Sequence, residues 1–296
     1  MKFRNKFILV TLASVTTLIL TGCTTTNTPT PQPTTTASSE TKTIAGEVVV
    51  CDENGPWGDV IAKEVVVDDF GEYCAVTIDP KSDTASYDVS KVDLPTLIGS
   101  GFTEEDTVEA LKTSLKVFVE TTLDSTRLDS YEQTEKEFFD EHKNVISDEQ
   151  RPVFNEYIKA NNLLESGFTI TNVLPEPLKR DGGPRAKEIN ISLNRIHAEQ
   201  WDNLDAPVLN VRFDFSVTYD VSNKQIVDTS VRNDKTLTVD ALKMSNPELF
   251  EDNGGGLTLQ GVYVYVYDAG NVKQISSLGT QWKLTTADGL YTLAEK

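Results

Sequence analysis

The sequence predicts an α+β protein in which helices come first and antiparallel strands follow. Two changes of period carry this reading. From Thr103 into the 160s, apolar residues recur every three or four positions, the repeat of a helix with one buried face. Beyond Gly167 the repeat drops to two. Leu209, Val211, Phe213, Phe215, Val217 and Tyr219 alternate with Asn210, Arg212, Asp214, Ser216 and Thr218, the pattern of a strand with one wet face. Grouped helices followed by grouped strands place helices against an antiparallel sheet, not around a parallel one.

The elements divide the chain into four stretches. Residues 1–22 open with a basic segment holding Lys2, Arg4 and Lys6, continue through a mostly apolar run from Phe7 to Leu20, and end at Leu20-Thr21-Gly22-Cys23. A spanning anchor needs about 20 apolar residues, whereas this run is shorter and is broken by Thr11, Ser14, Thr16 and Thr17. Ordinary secretion would leave Cys23 as a lone thiol in an oxidising compartment. The segment resembles a bacterial lipoprotein signal. The resemblance implies that the Cys23 thiol is diacylated and that a peptidase cuts before it, making Cys23 the lipid-bearing first residue.

Residues 23–43 form the lipidated Cys and a tether. From Thr24 to Thr43 the chain is almost wholly Thr, Pro, Ser, Gln, Asn and Ala, with nothing apolar to bury. Extended at about 3.1 Å per residue, it holds the body on the order of 60 Å from the headgroups. Ser39-Glu40-Thr41-Lys42 matches an S-x-x-K spacing, but a disordered tether positions no nucleophile.

Residues 44–95 read as a small β-rich module. Glu47 to Cys51, Glu64 to Val67 and Cys74 to Ile78 are its strands, and the Gly and Pro of the segment from Asp52 to Gly58 mark a turn. That turn is rich in acids but departs from the EF-hand spacing of calcium loops, so no metal is expected there. With Cys23 assigned to lipid, Cys51 and Cys74 form the remaining pair, and a disulfide is the default outside the cytoplasm. Zinc would need two further ligands, and the only histidines are His142 and His197.

Residues 96–296 carry the helices and the main sheet. Thr103 caps a first helix whose Val108, Leu111, Leu115, Phe118, Val119 and Thr122 form its buried stripe. Ser130 to His142 is a second, anchored by Phe138 and Phe139, with His142 at its negative dipole end. Ser147-Asp148-Glu149-Gln150 reads as the capping box of a third, carrying Val153, Phe154, Tyr157, Ile158 and Leu164 and stopping at Gly167. Strands follow at Thr169–Leu174, Lys187–His197, Leu209–Tyr219, Ile226–Val239, Leu257–Tyr267 and Val272–Leu284, the last two joined by a turn at Asp268-Ala269-Gly270-Asn271. In element order, the chain from about Thr103 to Leu284 resembles the NTF2-like, cystatin-like superfamily. The resemblance implies three helices packed into the concavity of a curved antiparallel sheet, with a concave pocket for ligands. Six strands exceed that fold, so one belongs to the edge or to the small module.

Candidate site residues follow from these elements. Tyr263, Tyr265 and Tyr267 share one strand face, where they either line the mouth of the pocket or pack across strands. His197, followed by Glu199 and Trp201, is the candidate acid/base group, because imidazole titrates near neutrality. The NTF2-like resemblance places a His or Asp inside the cone in enzyme members. At a strand end, however, an exposed side chain is the more ordinary reading of His197. Arg212 and Asp214, with Arg195, Asp228 and Arg232, form either a solvated charged face or a polar ligand site. Gly254-Gly255-Gly256 reads as a flexible loop, and no G-x-S-x-G elbow, P-loop or H-E-x-x-H helix is present.

Charge narrows the function. Residues 1–22 contain three basic and no acidic groups, so their removal takes the net charge from −19 to −22. Nucleic acid is excluded as a partner, since phosphate neutralisation needs clustered Lys and Arg. The sequence thus leads to a membrane-anchored extracytoplasmic lipoprotein, a binding or scaffolding module of the cell envelope, with no cofactor. A small-molecule binder and an NTF2-like enzyme with a concave pocket are the alternatives.

Overall fold

The computed structural model describes residues 51, 58–68, 71–128, 133–160, 168–169, 178, 183–202, 204–222, 224–225, 227–228, 236, 238–245, 247–250, 256–286 and 292–293. Outside them lie Cys23, the tether, the strand read at 47–50, the 52–57 turn, Leu164, Gly167, Arg232, Gly254 and Gly255, and nearly all of the strand read at 169–174. The chain is mixed α and β, with antiparallel sheets.

A hairpin comes first, with β1 at Val60–Asp68 and β2 at Gly71–Ile78. Short α1, Leu94–Leu97, precedes α2, Glu104–Val117, which begins at the predicted cap. Thr103 and Asp106 complete a reciprocal capping box, and the three acids of the first turn suit the positive helix end. The helix then widens into a π turn, Phe118–Leu123, which its periodicity does not announce. Helix α3 spans Glu135–His142, shorter than the 130–142 reading because Thr134, not Ser130, caps it.

Helix α4, Arg151–Lys159, corrects the third helix. The Ser147 box is not made: Gln150 is the N-cap, and the buried Ser147 hydroxyl has no hydrogen bond among the described residues. Ser147 instead lends its backbone to a bridge, its amide donating to the Ile275 carbonyl (3.0 Å). Val153, expected in the core, is 47% exposed, and Phe154 alone of the helix is buried.

The main sheet runs β3 (Ala186–Glu199), β4 (Val208–Tyr219), β5 (Leu257–Asp268), β6 (Ser277–Thr286) and a two-residue β7 (Thr292–Leu293), all neighbours antiparallel. Two readings fail here. Of the strand placed at 226–239, the described residues are helical at Val227 and Asp228, a turn at Thr236 and irregular at Thr238, and α5 occupies Val239–Ser245. Local polar chemistry outweighs the β-branched residues. The Ser222 hydroxyl and the Gln225 amide side chain cap each other's backbone, Lys224 pairs with Asp228 one turn on, and the Ala241 amide donates to Thr238 Oγ1. The last strand also starts late, at Ser277 rather than Val272. The turn forms, with Gly270 at φ 84° and the Asn271 amide donating to the Asp268 carbonyl, but the chain then detours. Ile275 is fully buried and bridges Ile146 between α3 and α4, which compensates for the lost ladder.

Helix α2 and the π turn cover one sheet face. Leu111, Leu115 and Phe118 meet inward residues of β3, β4 and β5 in one buried cluster. Val60 and Val76 of the hairpin belong to that same cluster. The free edge of β3 is covered without a strand: Gly58 and Val92 each make a parallel bridge to it, and the Asp59 amide donates to the Ile189 carbonyl (2.8 Å). Ile191 in turn donates its amide to Asp59 Oδ2 (2.6 Å). An unpaired edge would invite association, and these contacts close it.

Candidate functional site

The expected pocket residues separate onto two faces. Tyr263, Tyr265 and Tyr267 stand opposite Phe213, Val211 and Leu209 on the inward face of the sheet and are at most 1% exposed. The Phe118 ring lies 4.6 Å from Tyr263 and 6.1 Å from Tyr265, so this helix residue fills the place where a concave pocket was expected. The Tyr267 hydroxyl donates to the Ala110 carbonyl (3.2 Å) and lies 2.7 Å from Ser114 Oγ. Burial pushes all three phenols above their ordinary pKa, so they are neutral packing groups.

His197 and Arg212 lie on the opposite face. A bulge between Leu193 and Arg195 places Asn194 and Arg195 together on the outer side, after which His197 opposes Asn210 and Arg195 opposes Arg212. Arg195 pairs with Asp93, and Asn194 donates to Asp214. Of the charged residues read together in the sequence, Arg195, Arg212 and Asp214 share this outer face. Partial burial, with help from Arg195, holds the His197 pKa below its usual value, and its Nε2 is 3.9 Å from Glu199. Asp228, expected on a neighbouring strand, sits on the helical turn after β4, paired with Lys224.

A cleft that sequence reading did not find lies between the hairpin, α2 with its π turn, and the end of α3. It encloses about 470 Å³, within the size range of small-molecule sites. Two backbone irregularities shape it. The register of β1 against β2 shifts between Ala62 and Glu64, around Lys63, and the π turn redirects Glu120. Bulges and π turns both re-aim side chains and recur at functional sites. Lys63 Nζ and Glu120 Oε2 meet at 3.8 Å, and Thr77 donates to Glu120 (2.8 Å).

The floor of the cleft is a buried ion pair. Arg185 Nη1 lies 3.3 Å from Asp124 Oδ1 and donates to the Asp124 carbonyl (3.1 Å), both side chains being at most 5% exposed. The guanidinium lies 4.4 Å over the Tyr73 ring, and the Val76 amide donates to Asp124 (3.2 Å). Such a pair holds only because its charges are neutralised and hydrogen-bonded. His142 lines one wall. Expected as a helix-end cation, it is instead packed edge-on to Phe138 (4.7 Å), and burial lowers its pKa, with Glu141 opposing.

Cys51 and Cys74 are joined by a disulfide, with Cα atoms 5.6 Å apart. Cys74 is buried on β2, and the adjacent residues Tyr73, Ala75 and Val76 line the cleft. Among the described residues no helix is long and apolar enough to cross a membrane, and no group of three or more His, Cys, Asp or Glu side chains is placed to hold a metal ion. Comparison with protein-family models, curated proteins and solved structures finds no match to this chain.

Proposed function

We propose that the protein is a bacterial lipoprotein of the extracytoplasmic membrane face, whose body is an NTF2-like binding or scaffolding module of the cell envelope. The observation that carries this is the sequence Leu20-Thr21-Gly22-Cys23 behind a basic and apolar leader. The Thr/Pro stretch after it is a spacer, and the Cys51–Cys74 disulfide fits an oxidising compartment. The NTF2-like reading is supported by helices laid on one face of an antiparallel meander. Binding is favoured over catalysis because the aromatic interior is filled and His197 faces outward, leaving the lateral cleft as the place for a ligand.

Crosslinking in intact cells tests the scaffolding role, with Cys23→Ala as the unanchored control. The proposal expects an envelope component that is captured by the wild type and depleted in the control. Equal capture by both forms contradicts a role for anchoring.

A further inference from the structure

We infer that the lateral cleft is a binding site for short zwitterionic peptides. The inference deepens the binding-module reading and is independent of the lipid anchor. It rests on which charges around the cleft are already satisfied.

The floor charges are matched internally: Arg185 by Asp124, and Glu120 by Lys63 and Thr77. The remaining charges are not. Lys116 comes from α2 and Lys273 from the detour between β5 and β6. Both line the cleft, both are exposed, and neither has an ion pair among the described residues. In an unbroken helix Glu120 would sit one turn beyond Lys116 and pair with it. The π turn starting at Phe118 removes that partner, and Glu120 bonds the hairpin instead.

Two acids complete the lining. The Glu64 side chain, on β1, makes no hydrogen bond or ion pair among the described residues, and the Glu141 side chain, on α3, accepts among them only from the neutral amide of Gln133 (3.0 Å). Unmatched charges of both signs therefore converge from four separate segments. A simple anion would satisfy the lysines and be repelled by the acids, and a simple cation the reverse. A ligand with an ammonium at one end and a carboxylate at the other answers both. The cleft's 470 Å³ suits a short peptide.

Isothermal titration of the full chain in detergent tests this, with L-alanyl-L-alanyl-L-alanine as the probe and its N-acetyl, C-amide form as the uncharged control. The free tripeptide is expected to bind, and the blocked form to bind at least about tenfold more weakly. A Lys116→Glu, Lys273→Glu double variant should weaken the tripeptide by a similar factor. Lys187→Glu, which alters a β3 lysine paired with Asp220, should leave it unchanged. Both sets of changes are at exposed side chains, so folding is preserved and is checked by an unaltered thermal transition. No binding up to about 10 mM, equal binding of the blocked form, or indifference to the double variant each overturns the inference. Because the anchoring proposal rests on Cys23 and the leader before it, which this titration does not touch, failure here leaves that proposal standing.

Discussion

Phe118 shows how one side chain decides what the sheet face is for. It contacts Phe213, Phe215, Tyr263 and Tyr265 and is fully buried. Truncation to alanine should cost about 3–5 kcal/mol, because a cavity opens among rings that cannot collapse onto it; urea denaturation measures this, and a loss below about 1 kcal/mol would contradict the packing described. His142 gives a pH signature. Burial depresses its pKa, so the fold favours the neutral imidazole. The resulting stability is complete above the unfolded value of about 6.5 and is lost as pH falls through the folded one. The stability advantage of wild type over His142→Gln should therefore shrink as pH falls below about 6.5, and an advantage that grows toward acid would contradict it. Sequence made the tyrosine stripe visible but not its partner, since which face of β5 meets α2 depends on tertiary packing. It also read His142 by the helix dipole, whereas burial holds its pKa below the usual value.

The elements most legible in sequence were those with both a period and a local stop. Thr103 and the strand at 208–219 are of this kind. The stretch after Tyr219 was misread because β-branched residues outweighed the caps at Ser222 and Thr238, although both caps are visible in the sequence. The cleft was illegible for another reason: its walls come from β1, β2, α2, α3 and the 273 detour, and neither the bulge at Lys63 nor the π turn has a sequence period. Two variants test how the hairpin is held. At Gly58, φ is +71° and an added Cβ would sit 2.1 Å from the Ile189 carbonyl oxygen. Gly58→Ala should therefore speed hydrogen exchange at the Ile191 amide, which donates to the adjacent Asp59, and unchanged protection would contradict the docking. Removing the disulfide with Cys51→Ser and Cys74→Ser, 23 residues apart, should cost about 3 kcal/mol on the chain-entropy account. Denaturant midpoints that do not move would contradict it.

At the scale of the molecule, the acidic body and the amino-terminal cysteine belong to one argument. On the proposed reading, loss of residues 1–22 leaves a net charge of −22 that repels the folded domain from anionic lipid, so attachment is assigned to something other than the domain surface. On the proposed reading it comes from two acyl chains on Cys23, at about 0.8 kcal/mol per buried methylene. On the same reading the Thr/Pro stretch is a spacer between the lipid and the folded domain. The most direct test is intact mass analysis of the amino-terminal peptide from the protein isolated from membranes of its host. The account predicts a chain that begins at Cys23 and carries a thioether-linked diacylglyceryl group. A chain that retains residues 1–22, or one that begins at or beyond residue 23 with no lipid on it, would contradict it.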